Sequence, residues 1–338
     1  MTLALVTGAS GFIGAHVVRA LLAEGVAVRA LVRPGHDAAA LAGLAIETTQ
    51  GDVTDAVSVQ ASMSKVDVVF HLAALYVLEQ SRALEARLVN VQGTRVVMEA
   101  ALETGVARVV HTSSVAAVGH ASADGAPADE GSWTDTRSFA GPYEASKYAS
   151  ERLVQRMVAQ EGLPAVVVNP TAPIGPLDLK PTPTGQLILD AARGSMPGYM
   201  TSAGLNVVHV RDVARGHVLA WQRGVVGERY ILGHQEGNLT LRSIQERAAT
   251  QAGRSGPRWR IPYVVALAYA QADERLLSGL RGGRVRAPVA GVRLARYRMW
   301  FDCRKAVEQL GMPQTPLEEA FSDAVDDFAA RGVLTRAV

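Results

Sequence analysis

The 338-residue chain has one cysteine, four lysines and few aromatic residues, and its 34 basic and 32 acidic side chains leave a formal charge of only +2. Each shortage excludes something. The lone Cys303 rules out an internal disulfide and any cysteine-based structural metal cluster, and it suits a reducing compartment. The near balance of charge gives no global field for nucleic acid, and no basic stretch is interleaved with rings that would stack bases. Long apolar runs are missing too. The longest after the N-terminus, IPYVVALAYAQA (261–272), falls well short of the roughly 20 residues that a bilayer-spanning helix needs. The apolar N-terminus lacks a basic leader and is interrupted by Gly8, Gly11 and Gly14, so it reads as a turn rather than a signal peptide. The expectation is a cytoplasmic protein with no integral membrane segment, peripheral contact with the inner membrane being left open.

What is there is an ordinary globular composition, 48% apolar and 20% charged. Over the first 170 residues, short β-branched runs alternate with longer helical patterns. LALVT (3–7), AVRALVR (27–33), AIETTQ (45–50), DVVFHLA (67–73), RVVHTS (108–113) and AVVVNP (165–170) are strand candidates. Nearly continuous apolar strands with helices between them predict a Rossmann-type α/β fold, a doubly wound parallel sheet covered on both faces. Beyond Pro170 the texture changes. PTAPIGPLDLKPTPTG holds five prolines and predicts an irregular loop, followed by helices at 185–194, 212–223, 240–252, 262–279 and 316–330 and a short strand at RYIL. Residues 1–170 are expected to form the dinucleotide-binding domain, with 206–235 returning to it. A smaller, mostly helical substrate-binding cap would then comprise 171–205 and 236–338.

Gly8, Gly11 and Gly14 form GxxGxxG directly after a strand and at the start of a helix. The first glycine permits a tight turn, the second clears space for a pyrophosphate, and the third lets helix and strand pack closely. Amides at the helix start favour the phosphates. The cofactor side is therefore read as Gly8, Ser10, Gly11, Phe12, Ile13 and Gly14. At the end of the second strand, Val32 and Arg33 stand where an NAD site carries an acidic reader of the ribose. A guanidinium fork holds a 2′-phosphate that a carboxylate would repel, so NADP(H) is preferred and NAD(H) is the alternative. Arg29 and His36 are candidates to share that role. Asp52 is placed to accept from the adenine amine beside Val53, or else to cap a turn, and Ala73 and Ala74 are small where backbone would pass the cofactor.

The chemistry rests on TSS at 112–114, ending the fifth strand, and on GPYEASKYASERLV, which puts Tyr143 and Lys147 one turn apart on one helix face. A free phenol, with a pKa of about 10, is a poor base at neutral pH, and an ammonium nearby favours the phenolate. A serine hydroxyl at the strand end would hold the substrate oxygen in line. Thr112 counts with the cofactor side. Sequence leaves open whether Ser113 or Ser114 holds the substrate.

Through TGASGFIG, GDVTD, HLAA, NVQGT, TSS and YEASK, the whole chain resembles an extended short-chain dehydrogenase/reductase of the NAD-dependent epimerase/dehydratase type. NPTAPIGPLDLKPTPTGQLILD, GLNVVHVRDVARGH and GERYILG resemble the dihydroflavonol-4-reductase-like branch, most closely its hopanoid-associated sugar epimerase family. The resemblance implies Ser114, Tyr143 and Lys147 as the catalytic set, with Lys147 also bonding the nicotinamide ribose. It implies Asn90 as a supporting group, and Pro170, Ala172 and Ile174 within a segment passing the nicotinamide amide. A homodimer through the helices after Asn90 and around Tyr143 follows from it as well. Arg211 departs from the pattern, an acidic residue being common before Asp212.

Two reactions use such a set. A reductase consumes NADPH on a ketone or aldehyde of a small or lipid-linked substrate; an epimerase oxidises and re-reduces a sugar, commonly a nucleotide sugar, with a retained cofactor. Arg33 favours the first and the nearest family name the second, while a non-catalytic NADP-binding regulator is the third reading. The arginine run 281, 284, 286, 293, 296 and 298 reads as a solvated basic face or an anion site, and Lys180 as part of a lid or a substrate contact. No metal is expected, His71 and His111 being read as packed, hydrogen-bonded histidines. Tyr263 and Tyr269 beside the run 261–270 are read as core, with an apolar pocket wall as the alternative.

Overall fold

The six β-branched runs form β1 (Leu3–Thr7), β2 (Ala27–Val32), β3 (Glu47–Gln50), β4 (Val68–His71), β5 (Arg108–Thr112) and β6 (Ala165–Pro170), and β7 (Arg229–Leu232) returns from the C-terminal half. The computed structural model describes residues 2–122, 124–137, 139–196, 198–277 and 289–335. The strand order is β7-β6-β5-β4-β1-β2-β3, and every neighbouring pair is parallel. Every residue of β4, β6 and β7 is buried, as a sheet covered on both faces requires. Helices Phe12–Ala23 and Val210–Arg223 pack together over one face. On the other lie Gly93–Thr104 and Pro142–Glu161. The order reverses between β1 and β4, so a crevice opens at their carboxyl ends, where such sheets bind ligands.

The cap holds more strand than the sequence suggests. Gly204–His209 anchors a small sheet with Asn238–Thr240, Arg298–Met299 and Ala172–Ile174, backed by helices Pro183–Ala192, Leu241–Gln251 and Leu317–Ala330. Ala172–Ile174 lies inside the proline-rich segment that was expected to be irregular. It pairs on one side only, so the N–H that Pro173 lacks is not needed. Pro183 likewise fits the first turn of its helix, where Thr182 Oγ1 accepts from the Gly185 amide at 3.1 Å.

The apolar run 261–272 behaves differently from its reading as core. Helix Tyr263–Ala272 buries only Ala270, and Val264 (74%), Val265 (57%) and Tyr269 (45%) are exposed. It packs on the short helix Val289–Leu294. Arg281, Arg284 and Arg286 lie outside the described residues, while Arg293, Arg296 and Arg298 are exposed. No described helix is long and apolar enough to cross a membrane.

Candidate active site

At the turn after β1 each glycine has a separate cause. Gly8 has φ +70°, and a Cβ there would meet the Ala73 amide nitrogen at 2.6 Å. A Cβ on Gly14 would meet the Gly8 carbonyl at 2.1 Å, so this glycine lets helix and strand approach. Gly11 caps the helix, and a Cβ there would stand 3.2 Å from the Gly8 carbonyl oxygen, so the turn is tight at this glycine too. A cleft of about 220 Å³ runs from Gly8, Ser10 and Gly11 past Asp52, Val53, Ala73 and Ala74 to Arg33 and His36. Arg33 is exposed there, and among the described residues no hydrogen bond or ion pair engages its guanidinium, although its charge reaches Glu85. Arg29 is excluded as its partner. It pairs with Glu47 at 2.9 Å and donates to the Ser62 and Ser64 carbonyls. Of the two roles the sequence left open for Asp52, the structure holds the turn: its carboxylate accepts from the Thr54 amide and hydroxyl, and the residue lines the cleft.

A second cleft, about 280 Å³, shares Gly8, Gly11, Leu72 and Ala74 with the first and makes one continuous trough. It is lined by Phe12, Ile13, Gly14, Thr112, Ser113, Ser114, Tyr143, Lys147 and Pro170. Ala172 lines the adjoining cavity instead. Ile174 is not brought to any of them: it is buried in the cap core, because its strand turns it toward the C-terminal helices. The trough has the glycine cradle that a pyrophosphate requires and an exposed guanidinium at one end, so the residues fit the cofactor.

Pro142 starts the helix that carries Tyr143 and Lys147. Lys147 is buried and donates to the Thr112 carbonyl at 2.8 Å. Burial pulls its ammonium down to about 8, against the pull of Glu151 one turn further on. Burial pushes the Tyr143 phenol above its usual value, and a hydrogen bond with the Ser114 hydroxyl acts the other way. Lys147 is not among the groups that act on the phenol, so the lowering that the spacing suggests is not seen.

The two serines are used differently. Ser113 Oγ donates to the buried Glu151 carboxylate. Ser114 Oγ accepts from the Ala116 amide and, with Tyr143, borders both the trough and the adjoining cavity. Asn90 Nδ2 donates to the Leu75 carbonyl and to Ser146 Oγ, and Ser146 Oγ donates to the Tyr143 carbonyl, so Asn90 braces the helix beneath the phenol.

Sequence reading missed two groups. Tyr76 packs on Tyr143 with ring centroids 4.5 Å apart and the rings tilted by 48°, and its position a few residues beyond HLAA is the only signal. Glu151, wholly buried, pairs with Arg229 on β7 and accepts from Asn169 Nδ2 at 2.8 Å. The Arg229 guanidinium lies 3.9 Å from the Trp133 ring centroid. Glu151 stands i+4 from Lys147 in YEASKYASE, a spacing that was legible; its partner, far along the chain, was not.

His71 is packed and bonded as read. Its Nε2 donates to Thr94 Oγ1, which itself donates to Asn90, so its Nδ1 accepts from Thr7 Oγ1 at 2.8 Å. His111 stacks on it at 5.6 Å, but neither of its ring nitrogens has a partner, which departs from the expectation of a hydrogen bond. Burial and Lys147 hold both rings neutral. Arg211 pairs with Asp323 and Glu319 on the last helix, filling the space among His209, Glu319 and Asp323 where a cation would otherwise sit.

A parallel sheet reversing at β1 and β4, with a glycine turn at one end of its crevice and Ser114, Tyr143 and Lys147 at the other, defines a nucleotide-dependent oxidoreductase of the extended short-chain type. The model of the NAD dependent epimerase/dehydratase family matches residues 4–233, and the chain belongs to that family. It is 41% identical to a protein of Synechocystis sp. named for dihydroflavonol 4-reductase, over 97% of this chain and 94% of that one. It is 37% identical to sterol demethylase protein B of Methylococcus capsulatus, over 98% and 99% of the two chains. A solved nucleoside-diphosphate-sugar epimerase from Pseudomonas aeruginosa superposes with a TM-score of 0.79 at 28% identity, covering 99% of each chain.

Proposed function

We propose that this NAD(P)-dependent enzyme is an NADP(H)-dependent reductase of a ketone or aldehyde, acting through Ser114, Tyr143 and Lys147. The observation that carries the reading is Arg33, whose exposed guanidinium makes no hydrogen bond or ion pair among the described residues, at the cofactor cleft beyond β2, where no acidic residue ends the strand. A guanidinium there binds a 2′-phosphate by charge-assisted hydrogen bonds.

When bound, the reduced nicotinamide supplies a hydride. The chain's own residues do the rest. Ser114 and Tyr143 both stand on the wall of the trough, so a carbonyl oxygen set between their hydroxyls accepts from both. Burial keeps Tyr143 protonated, which is the form that a reduction consumes. As hydride reaches the carbonyl carbon, the C=O π bond breaks and the phenol proton moves to the oxygen, giving an alcohol and a phenolate. Lys147 offsets that phenolate charge, while the Thr112 carbonyl fixes its ammonium so that another N–H is available to a ribose hydroxyl. A homodimer through helices Gly93–Thr104 and Pro142–Glu161, on the cytoplasmic side of any membrane, is part of the same proposal.

Similarity to a nucleoside-diphosphate-sugar epimerase favours a second reading, transient oxidation of a sugar with a retained cofactor. Non-denaturing mass spectrometry of the purified protein separates the two. The reductase is isolated empty, prefers NADPH and consumes it with a carbonyl compound; an epimerase carries NAD(H) through purification. NADPH binding without consumption by any carbonyl would leave the regulator.

A further inference from the structure

Beyond Tyr143 the trough opens into a cavity of about 290 Å³, sharing Tyr76, Ser114, Tyr143, Thr171 and Thr184 with it. A substrate carbonyl held at Ser114 must place the rest of its skeleton there. The walls are Leu187, Leu205, Leu241, Met299 and Phe301, with glycines and alanines between them. None of the described lining residues is Lys, Arg or His.

The wall's amide and its carboxylate, Asn206 and Glu144, are already used, which leaves neutral hydroxyls such as those of Thr184 and Tyr297 as its polar groups. Asn206 donates to the His234 carbonyl and to Asn238, and accepts from the His234 amide. Glu144 accepts from Thr134 Oγ1 and the Ala140 amide. A diphosphate entering the cavity would meet that carboxylate and no counter-charge among these residues, at the large cost of an unpaired charge in a desolvated site.

We infer that the substrate is a phosphate-free carbonyl compound on an apolar skeleton, whose body rather than its head group supplies the binding energy. This rests on the reductase reading above and assigns the substrate class to the same site. Apolar burial is additive along a chain, so the inference has a quantitative signature.

The test uses the full-length protein with NADPH and straight-chain methyl ketones from 2-butanone to 2-tridecanone. The expected kcat/KM rises about fourfold for each added methylene until the cavity is full, the ratio for complete burial of one CH₂. Met299→Gln should lower kcat/KM for the longest ketone. Millimolar UDP-glucose should neither compete nor be converted. A flat series, or competition by UDP-glucose, overturns the substrate class even if NADPH is consumed. Calorimetric binding of the same ketones in the presence of NADP⁺ keeps the two readings apart: affinity that climbs with chain length but without NADPH oxidation would retain the apolar pocket and refute the reductase.

Discussion

Glu151 is the group whose removal should reach furthest. Its carboxylate has no exposure, and it holds the Arg229 guanidinium on one side and Ser113 and Asn169 on the other. Arg229 is itself only 5% exposed and is fixed by the Glu130 and Ser132 carbonyls at 3.0 and 2.9 Å. Glu151→Ala leaves that cation buried and unpaired, which costs about 3–5 kcal/mol, with the stranded Ser113 and Asn169 groups placing it toward the upper end. Set against a total stability of about 5–15 kcal/mol, this is a large fraction. The double variant Glu151→Gln/Arg229→Met removes both charges and should cost less than Glu151→Ala alone. Urea unfolding followed by far-ultraviolet circular dichroism measures both. The same carboxylate supports the Lys147 ammonium, so in Glu151→Gln that group titrates below its wild-type value of about 8. A pH–rate profile should show the limb assigned to Lys147 moving to lower pH, and Glu151→Asp should restore part of it. The reasoning is refuted if Glu151→Ala costs less than about 1 kcal/mol, or if the limb stays in place in a folded Glu151→Gln enzyme.

Three further outcomes follow. Arg33→Asp should invert the coenzyme preference: NADPH loses a charge-assisted contact worth about 1.5–3 kcal/mol, roughly 10- to 150-fold in kcat/KM, while NADH gains, and an unchanged ratio would remove Arg33 from the site. Tyr143→Phe should cut kcat by about 10²–10⁴ with NADPH affinity retained, as seen by nicotinamide fluorescence; equal activity would show that the phenol is not the acid. Burial depresses His71 to about 3 and His16 and His217 to about 4. The folded state therefore binds fewer protons than the unfolded chain between these values and about 6.5, so stability is lost as pH falls through that window, by roughly 3 kcal/mol each for His16 and His217 and roughly 5 kcal/mol for His71. Urea midpoints at pH 7 and pH 4.5 check this, and a flat profile would contradict it.

The parts of the site that were legible in the sequence are those whose physics is local. A strand, a left-handed Gly8 and a close-packed Gly14 lie within one short stretch, and Tyr143 and Lys147 share a helix face. The reading of β1 to β6 worked for the same reason, since buried parallel strands are short continuous apolar runs. What escaped was set by distant partners. Which serine faces the cavity depends on Glu151, whose own role depends on Arg229 from the other half of the chain. Arg29 and Arg33 look alike in AVRALVR, but Glu47 claims only the first. Ala172–Ile174 is a strand because Gly204–His209 accepts it, despite the prolines around it. The run 261–270 reads as core on composition, and nothing within it signals that helix Tyr263–Ala272 buries only Ala270 among the described residues.

The account stands or falls on one arrangement. A crystal structure with NADPH bound is predicted to put the 2′-phosphate within hydrogen-bonding reach of Arg33 and the nicotinamide C4 beside the Tyr143 hydroxyl, with the Lys147 ammonium on the ribose. A 2′-phosphate turned to solvent away from Arg33, or a nicotinamide remote from Tyr143, would contradict it.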